Sequence, residues 1–80
     1  MYDIIEIQKF KDVIKQCRPF CIMDIDIQND YGKIISKSEI YRIVDRSTEI
    51  RCYTDDMLIR YDLFYMEHNV SGLARVLMTI

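Results

Sequence analysis

The sequence contains few of the residues from which active sites and disulfide frameworks are built. It has one histidine, three cysteines, two glycines, one proline and no tryptophan. Three cysteines are too few, and odd in number, for a disulfide framework, which predicts free thiols in a reducing compartment. The two glycines stand apart, so no glycine-rich loop is available to hold a phosphate. The only histidine, His68, lies in a predicted turn without the partners of a catalytic triad.

The sequence also lacks an excess of one charge and any long apolar run. Eleven bases against thirteen acids give a net charge of −2. The basic excess with which most nucleic-acid binders neutralise phosphates is therefore missing, and we expect no direct nucleic-acid binding. No apolar run approaches 18 residues and no charged-then-apolar leader is visible. We expect no contact with a membrane and a cytoplasmic location.

Length and composition predict a single compact domain over residues 1–80. Half of the 80 residues are hydrophobic and 11% are aromatic, as in folded globular domains. A chain of this length buries only about 60% of the surface that its unfolded form exposes, so its core is thin.

Residues 8–17 predict an amphipathic helix. Apolar side chains recur at i, i+3, i+4 and i+7, at Phe10, Val13, Ile14 and Cys17. Its start is open between Asp3 and Gln8, because residues 1–7 also fit a strand. Pro19 ends it, since proline disfavours helical geometry in the residue before it.

The apolar period changes to two after Phe20. Apolar Cys21, Met23, Ile25 and Ile27 alternate with mostly polar residues, which predicts a strand, and residues 29–32 predict a hairpin loop. We expect a return strand from Lys33 to about Ile43, which would set Lys37 beside Asp24. Residues 36–39 also match a capping box that could open a helix instead.

Period-two alternation continues through the second half of the chain. It predicts strands at 48–53 and 57–66, with turns at 54–56 and 67–72. The β-branched and aliphatic residues from Leu73 to Ile80 predict a last strand, with a C-terminal helix as the alternative. Short turns between successive strands favour an antiparallel meander. The predicted fold class is α+β: one N-terminal amphipathic helix packed on a four- or five-stranded antiparallel β-sheet.

The acidic residues around Asp24 are the first candidate site. Asp24 and Asp26 are about 6.6 Å apart along a strand, so a magnesium ion would need a third carboxylate from another element. Asp55, Asp56 or Asp62 could supply it, but nothing in the sequence brings them together. We therefore predict no metal, no cofactor and no catalytic residue.

The same residues could instead form a docking surface for a basic partner, because complementary charge raises association rate and specificity. A tyrosine in the hairpin loop has little core to reach and could anchor that partner. The predicted partner-binding residues are Asp24, Asp26, Asp30, Tyr31, Asp55 and Asp56. Interleaved arginines elsewhere predict a mixed-charge sheet face with solvated ion pairs, at Arg42, Arg46, Arg51 and Arg60.

These features favour a non-enzymatic module that binds and inhibits or modulates a larger protein. Small size, mild acidity and richness in Ile, Lys, Asp and Tyr suggest an accessory protein of a phage or mobile element. Such a protein would block a nuclease or defence effector in the host cytoplasm, anti-CRISPR-like in kind, although no family motif is present. The alternative is a homodimeric assembly subunit that pairs through an edge strand at 72–80. A small metal-dependent nuclease or hydrolase is the third hypothesis.

Overall fold

The computed structural model describes residues 1–16, 22–25 and 36–79, with the backbone alone for 22–25 and 79. Two helices and five strands lie within these ranges. In chain order they are β1 (Asp3–Ile4), α1 (Ile7–Gln16), β2 (Ile22–Ile25), α2 (Lys37–Asp45), β3 (Ser47–Asp55), β4 (Leu58–Glu67) and β5 (Val70–Thr79). The predicted hairpin loop at 29–32 lies outside the described residues.

The strands form one antiparallel sheet in the order β1-β3-β4-β5-β2. The predicted α+β class is confirmed, and β3, β4 and β5 form the meander. Two-residue turns join them, at Asp56–Met57 and at His68–Asn69. Positive φ angles at Asp56 (42°), His68 (53°) and Asn69 (62°) fit these tight turns. His68 is thus a turn residue, as predicted.

The predicted return strand from Lys33 to Ile43 is wrong over the residues described, because Lys37–Asp45 form helix α2. Ser36 is extended, with φ −73° and ψ 162°, and its side-chain oxygen accepts a hydrogen bond from the Glu39 backbone N–H at 3.3 Å. That cap satisfies one of the free N–H groups of the first turn. The helix then buries an apolar stripe, made of Ile40, Ile43 and Val44. The helix cap and the helical spacing of these apolar residues therefore determine the structure of this segment, and the expected pairing with the preceding strand does not.

The strand β2 pairs with β5 rather than with a neighbour in sequence. Asp24 lies opposite Arg75, so the expected pairing of Asp24 with Lys37 is also wrong. Residues 74–77 of β5 are paired with β4 on one side and β2 on the other. The edge strand expected at 72–80 is therefore internal over these residues.

Both helices pack on the same face of the sheet. Helix α1 buries Phe10 and Ile14 there, and the ring of Phe10 lies 4.8 Å from that of Tyr61. Residues that alternate along β3, β4 and β5 complete this core: Ile50, Tyr61, Leu63, Tyr65, Ala74 and Val76. A bulge at Thr48 shifts the register of β3, so that Ser47 pairs with Tyr65 while Glu49 pairs with Phe64.

Gly72 lies directly beneath the ring of its cross-strand neighbour Tyr65. A Cβ atom added at this position would be 2.5 Å from Cζ and 2.7 Å from the hydroxyl oxygen of Tyr65. Because Tyr65 is buried, its ring cannot move aside without disturbing the core.

We expect Gly72→Ala to lower the free energy of unfolding by about 1–3 kcal/mol. Urea denaturation would measure this loss, with exposed Ser71→Ala as the control. Equal midpoints for the two variants would contradict it.

Tyr61 makes the stability of the fold depend on alkaline pH. Burial, and then the neighbouring Cys52, raise the pKa of the Tyr61 phenol above its usual value of 10.0. Above pH 10 the unfolded chain loses this proton while the folded chain retains it, so stability falls as the pH rises toward the raised pKa. Below pH 10 the contribution is constant.

We expect the free energy of unfolding of the wild type to decline above pH 10, and that of Tyr61→Phe to decline less steeply. Urea denaturation series on either side of pH 10 would measure both slopes. Parallel slopes would show that Tyr61 is not responsible.

Candidate binding surface

The sheet has a second face that neither described helix covers. Paired residues of an antiparallel sheet point to the same side, and successive residues alternate. The register therefore collects on one face the residues that alternate with the core. We call this surface the arginine face, and its central residues are Glu49, Arg51, Tyr53, Arg60, Asp62, Phe64, Leu73, Arg75 and Leu77. The same register puts Asp55, Leu58, Met66 and Ser71 at its ends, and Asp24 of β2 occupies the position opposite Arg75.

A buried carboxylate lies at the centre of the arginine face. Asp62 is 3% exposed. Arg75 donates two hydrogen bonds to it, from Nε to Oδ1 at 2.8 Å and from Nη2 to Oδ2 at 3.2 Å. The Nε atom of Arg60 lies 3.3 Å from the same Oδ1 and has no hydrogen-bond partner in the described part of the chain. Two guanidinium groups therefore neutralise Asp62 and cover it.

Aromatic rings hold the arginines in place. The guanidinium of Arg60 lies 3.9 Å from the ring centroid of Tyr53. That of Arg51 lies between two rings, 4.5 Å from Tyr2 and 4.6 Å from Phe64. Such cation–π contacts attract a guanidinium electrostatically to the face of the ring. Arg51 and Arg60, two of the three arginines on this face, thus lie against aromatic rings.

Arg51 is also held by a carboxylate on its own strand. Its Nε donates a hydrogen bond to Glu49, and this bond is the main reason that the pKa of Arg51 is raised. The residues are two positions apart on β3, so both side chains lie on the arginine face. Glu49 therefore fixes the orientation of Arg51 in addition to the two rings.

Apolar side chains border this charged centre. Leu58 and Met66 lie on the same face of β4 and are 41% and 51% exposed. Phe64, Leu73 and Leu77 are half-buried between them. At the β1 edge, Ile4 pairs with Arg51 and is also exposed. Arginine, aromatic residues and methionine are the types enriched at protein interfaces.

The predicted acidic residues do not form one cluster within the described structure. Asp55 and Asp56 are exposed at the β3–β4 turn. Asp24 lies on β2, which two strands separate from β3, a distance of roughly 14 Å across the sheet. Asp26, Asp30 and Tyr31 lie outside the described residues.

The four arginines predicted to share a sheet face are divided between two places. Arg51 and Arg60 lie on the sheet, whereas Arg42 and Arg46 lie on or next to helix α2, so the prediction is wrong for the latter two. Arg42 forms ion pairs with Glu39 and Glu67, and the hydrogen bond with Glu39 is the first cause of its raised pKa. This second cluster ties α2 to the end of β4.

Sequence reasoning considered Asp62 only as a possible third ligand of a metal ion, and it did not consider Arg75. A signal was available, because the polar members of the alternating β4 pattern, Arg60 and Asp62, share the face opposite the core. Arg51 and Arg75 lie beside these two residues only because of the strand register, which depends on long-range pairing and could not be predicted from the sequence.

Within residues 1–16, 22–25 and 36–79, no group of three or more His, Cys, Asp or Glu side chains could hold a metal ion. None of the helices in the described ranges is long and apolar enough to cross a membrane. The chain matches no family model, no curated protein and no solved structure.

Proposed function

We propose that the chain is a non-enzymatic protein-binding module that inhibits or modulates a larger protein, and that the arginine face is its docking surface. The observation that carries this proposal is the set of guanidinium groups held on aromatic rings, bordered by exposed aliphatic side chains. Arginine and tyrosine are the residues most often found among the few that dominate binding energy. Because these side chains are already ordered, a partner would lose little of their conformational entropy on docking.

The size of the sheet also supports a role of the arginine face as a docking surface. The molecule measures 34 × 23 × 23 Å along its principal axes. A face of these dimensions covers roughly 800 Å², which is about the area that each partner buries in a standard protein complex. Most of the arginine face would therefore be needed for one stable contact.

The stacking also favours a protein over a single-stranded nucleic acid. Sequence-independent binders of single strands offer free aromatic faces on which bases stack. Here the guanidinium of Arg51 already lies against the rings of Tyr2 and Phe64, and that of Arg60 lies against Tyr53. The net charge of −2 further opposes attraction to phosphates.

The form of modulation that we propose is the blocking of a host nuclease or defence effector by an accessory protein of a phage or mobile element, in the host cytoplasm. This part of the proposal rests on small size, mild acidity and composition. In this respect the chain would act in the manner of an anti-CRISPR protein.

Homodimerisation is a second candidate, and the β1 edge favours it. Tyr2 precedes the two-residue strand β1 and Ile4 is its second residue; they are 42% and 66% exposed, and β1 pairs on one side with β3. Exposed apolar edge strands tend to pair with another chain. Light scattering would test this, because a dimer that Ile4→Glu converts to a monomer would support pairing through β1. A concentration-independent wild-type monomer would exclude it.

Affinity capture with two matched variants tests the leading proposal. The tagged protein is compared with Arg51→Gln/Arg60→Gln on the arginine face and with Asp55→Asn/Asp56→Asn on the acidic turn, which keeps the earlier hypothesis of a basic partner in the experiment. Circular dichroism checks that each variant is folded. We expect the first variant to lose a captured protein that the second retains. Absence of any protein captured above an unrelated bait of equal size would contradict the proposal.

A further inference from the structure

We infer that the outer edge of β1 binds an extended segment of the partner protein as an additional strand, and that this segment carries a basic residue opposite Asp3. The inference rests on the proposed function, because it adds a second contact beside the arginine face. Three observations support it: the backbone groups that β1 directs outward, the exposed apolar side chains on this edge and the acid at its centre.

The backbone of β1 directs two residues away from the sheet. β1 is the terminal strand of the order β1-β3-β4-β5-β2 and pairs with β3 alone among the described strands. The N–H of Ile5 donates a hydrogen bond to the carbonyl oxygen of Ile50 at 2.9 Å, so the backbone of Ile5 faces β3. This direction alternates along an antiparallel strand, so Asp3 also faces β3, whereas Tyr2 and Ile4 face outward. Their N–H and C=O groups can therefore pair with an added strand.

The two outward-facing residues also carry exposed apolar side chains. Ile4 pairs with Arg51 and therefore lies on the arginine face, where it is 66% exposed. Tyr2 lies on the same face, since it is two positions away on the strand, and it is 42% exposed. Side chains that lie side by side on one face of neighbouring strands stabilise each other. An added strand with apolar residues at these positions would cover both side chains and extend the docking surface past β1.

An exposed acid lies between these two residues, on the opposite face of the sheet. Asp3 pairs with Cys52, so its side chain lies on the side that the helices cover, and it is nevertheless exposed. Among the described residues, neither Asp3 nor the exposed Glu6 forms an ion pair. Opposite charges that face each other across two strands are stabilising, and like charges are destabilising. The edge therefore favours a strand with a basic residue opposite Asp3.

A second copy of the chain fits this edge poorly. Antiparallel pairing that uses every outward backbone group would place Tyr2 opposite Ile4 of the copy, and Asp3 opposite its own counterpart. That register brings like charges together. A shift of two residues would place Ile4 opposite itself and Tyr2 opposite Glu6, but the carbonyl oxygen of Glu6 already accepts a hydrogen bond from the Phe10 N–H at 3.0 Å. A different segment with a base at the central position avoids both conflicts.

A charge-reversed form of the chain supplies the probe for this inference. Asp3→Lys keeps Tyr2 and Ile4 and places a base between them, which is the pattern proposed for the partner segment. The ¹⁵N-labelled wild type is titrated with unlabelled Asp3→Lys and, separately, with unlabelled wild type. Nuclear magnetic resonance follows the backbone amide signals of the labelled protein, and circular dichroism checks that each variant is folded.

Three further probes serve as controls. Asp12→Lys makes the same change of charge at an exposed position on α1. Asp3→Lys/Ile4→Pro removes the outward N–H of Ile4, and proline is tolerated on the free side of an edge strand. Asp3→Lys/Ile4→Ala shortens the same side chain but keeps the N–H, so it separates the loss of the backbone donor from the loss of apolar surface.

We expect Asp3→Lys to shift the amide signals of Tyr2 and Ile4 and to bind about tenfold more tightly than unlabelled wild type, because an opposite charge replaces a like charge across the two strands. Asp12→Lys should bind as weakly as the wild type, and the proline probe should cause no shift, whereas the alanine probe should still cause one. Wild type that binds itself as tightly as it binds Asp3→Lys would overturn the inference in favour of homodimerisation. Equal binding of Asp12→Lys, equal binding of the proline probe or an absence of shifts at millimolar concentration would also overturn it.

Affinity capture with Ile4→Pro separates this inference from the proposed function. We expect this variant to lose the protein that the wild type captures. A protein captured equally by Ile4→Pro and the wild type, but lost with Arg51→Gln/Arg60→Gln, would retain the proposed function and overturn the strand contact. Selective binding of Asp3→Lys without any captured protein would support the strand-binding edge and count against the proposed function.

Discussion

Replacing Phe10 by alanine is expected to lower the free energy of unfolding by about 3–5 kcal/mol. The side chain is fully buried and its ring packs 4.8 Å from that of Tyr61, so it joins α1 to the centre of the sheet. A domain of 80 residues has a total stability of roughly 4–12 kcal/mol. The loss would therefore be a large fraction of the total free energy of unfolding, and part of the variant population would be unfolded at 25 °C.

Urea denaturation followed by circular dichroism measures this loss. Phe10→Leu keeps most of the apolar volume and should lose less than half as much. Lys9→Ala changes an exposed neighbour on the same helix and should stay within about 0.5 kcal/mol of the wild type. If Phe10→Ala were as stable as Lys9→Ala, α1 would not be packed on the sheet as described.

Replacing Asp62 by asparagine is expected to lower the free energy of unfolding by about 2–3 kcal/mol. Breaking a fully buried ion pair on one side costs about 3–5 kcal/mol, because the remaining charge is left without compensation. The loss should be smaller here, since Arg60 and Arg75 are each about one-third exposed and could turn toward water. The same substitution should weaken partner binding, because both guanidiniums would lose their anchor.

A double-mutant cycle measures the contribution of the pair itself. Asp62→Asn, Arg75→Gln and the double variant are compared by urea denaturation, and Asp55→Asn provides the same chemical change at an exposed site. We expect a coupling energy of about 1 kcal/mol or more between positions 62 and 75. Additive losses, or an Asp62→Asn variant as stable as Asp55→Asn, would argue against the buried pair.

Periodic segments of the sequence predicted most of the fold. Helix α1 follows from an apolar stripe that covers more than two turns, and it occupies Ile7–Gln16. Strands β3 and β4 follow from alternation, which one-sided burial enforces over nine or ten residues, and β5 follows from its aliphatic and β-branched composition. These elements could be predicted because each carries its own pattern.

Elements that depend on distant partners could not be predicted in the same way. Residues 37–45 carry a helical stripe of only three buried side chains, and an assumed hairpin with β2 competed with it. The partners of β1 and β2 lie about 50 residues away along the chain, so no local pattern could indicate them. The sheet order is a property of tertiary packing.

The candidate site was missed for a related reason. In the sequence, Asp62 resembles any other polar residue on the solvent-exposed face of a strand. Arg75 resembles an isolated charge among aliphatic residues. Only their direct pairing across β4 and β5 makes them a buried bidentate pair.

The sheet order also has a consequence for synthesis on the ribosome. β1 and β2 are made early, but their partners in β3 and β5 follow about 50 residues later. At synthesis rates of about 5–20 residues per second, these strands wait several seconds without the neighbours that satisfy their backbone groups. The nascent N-terminal half is therefore the part of the chain most in need of protection, whether from a chaperone or from rapid completion of the remaining strands.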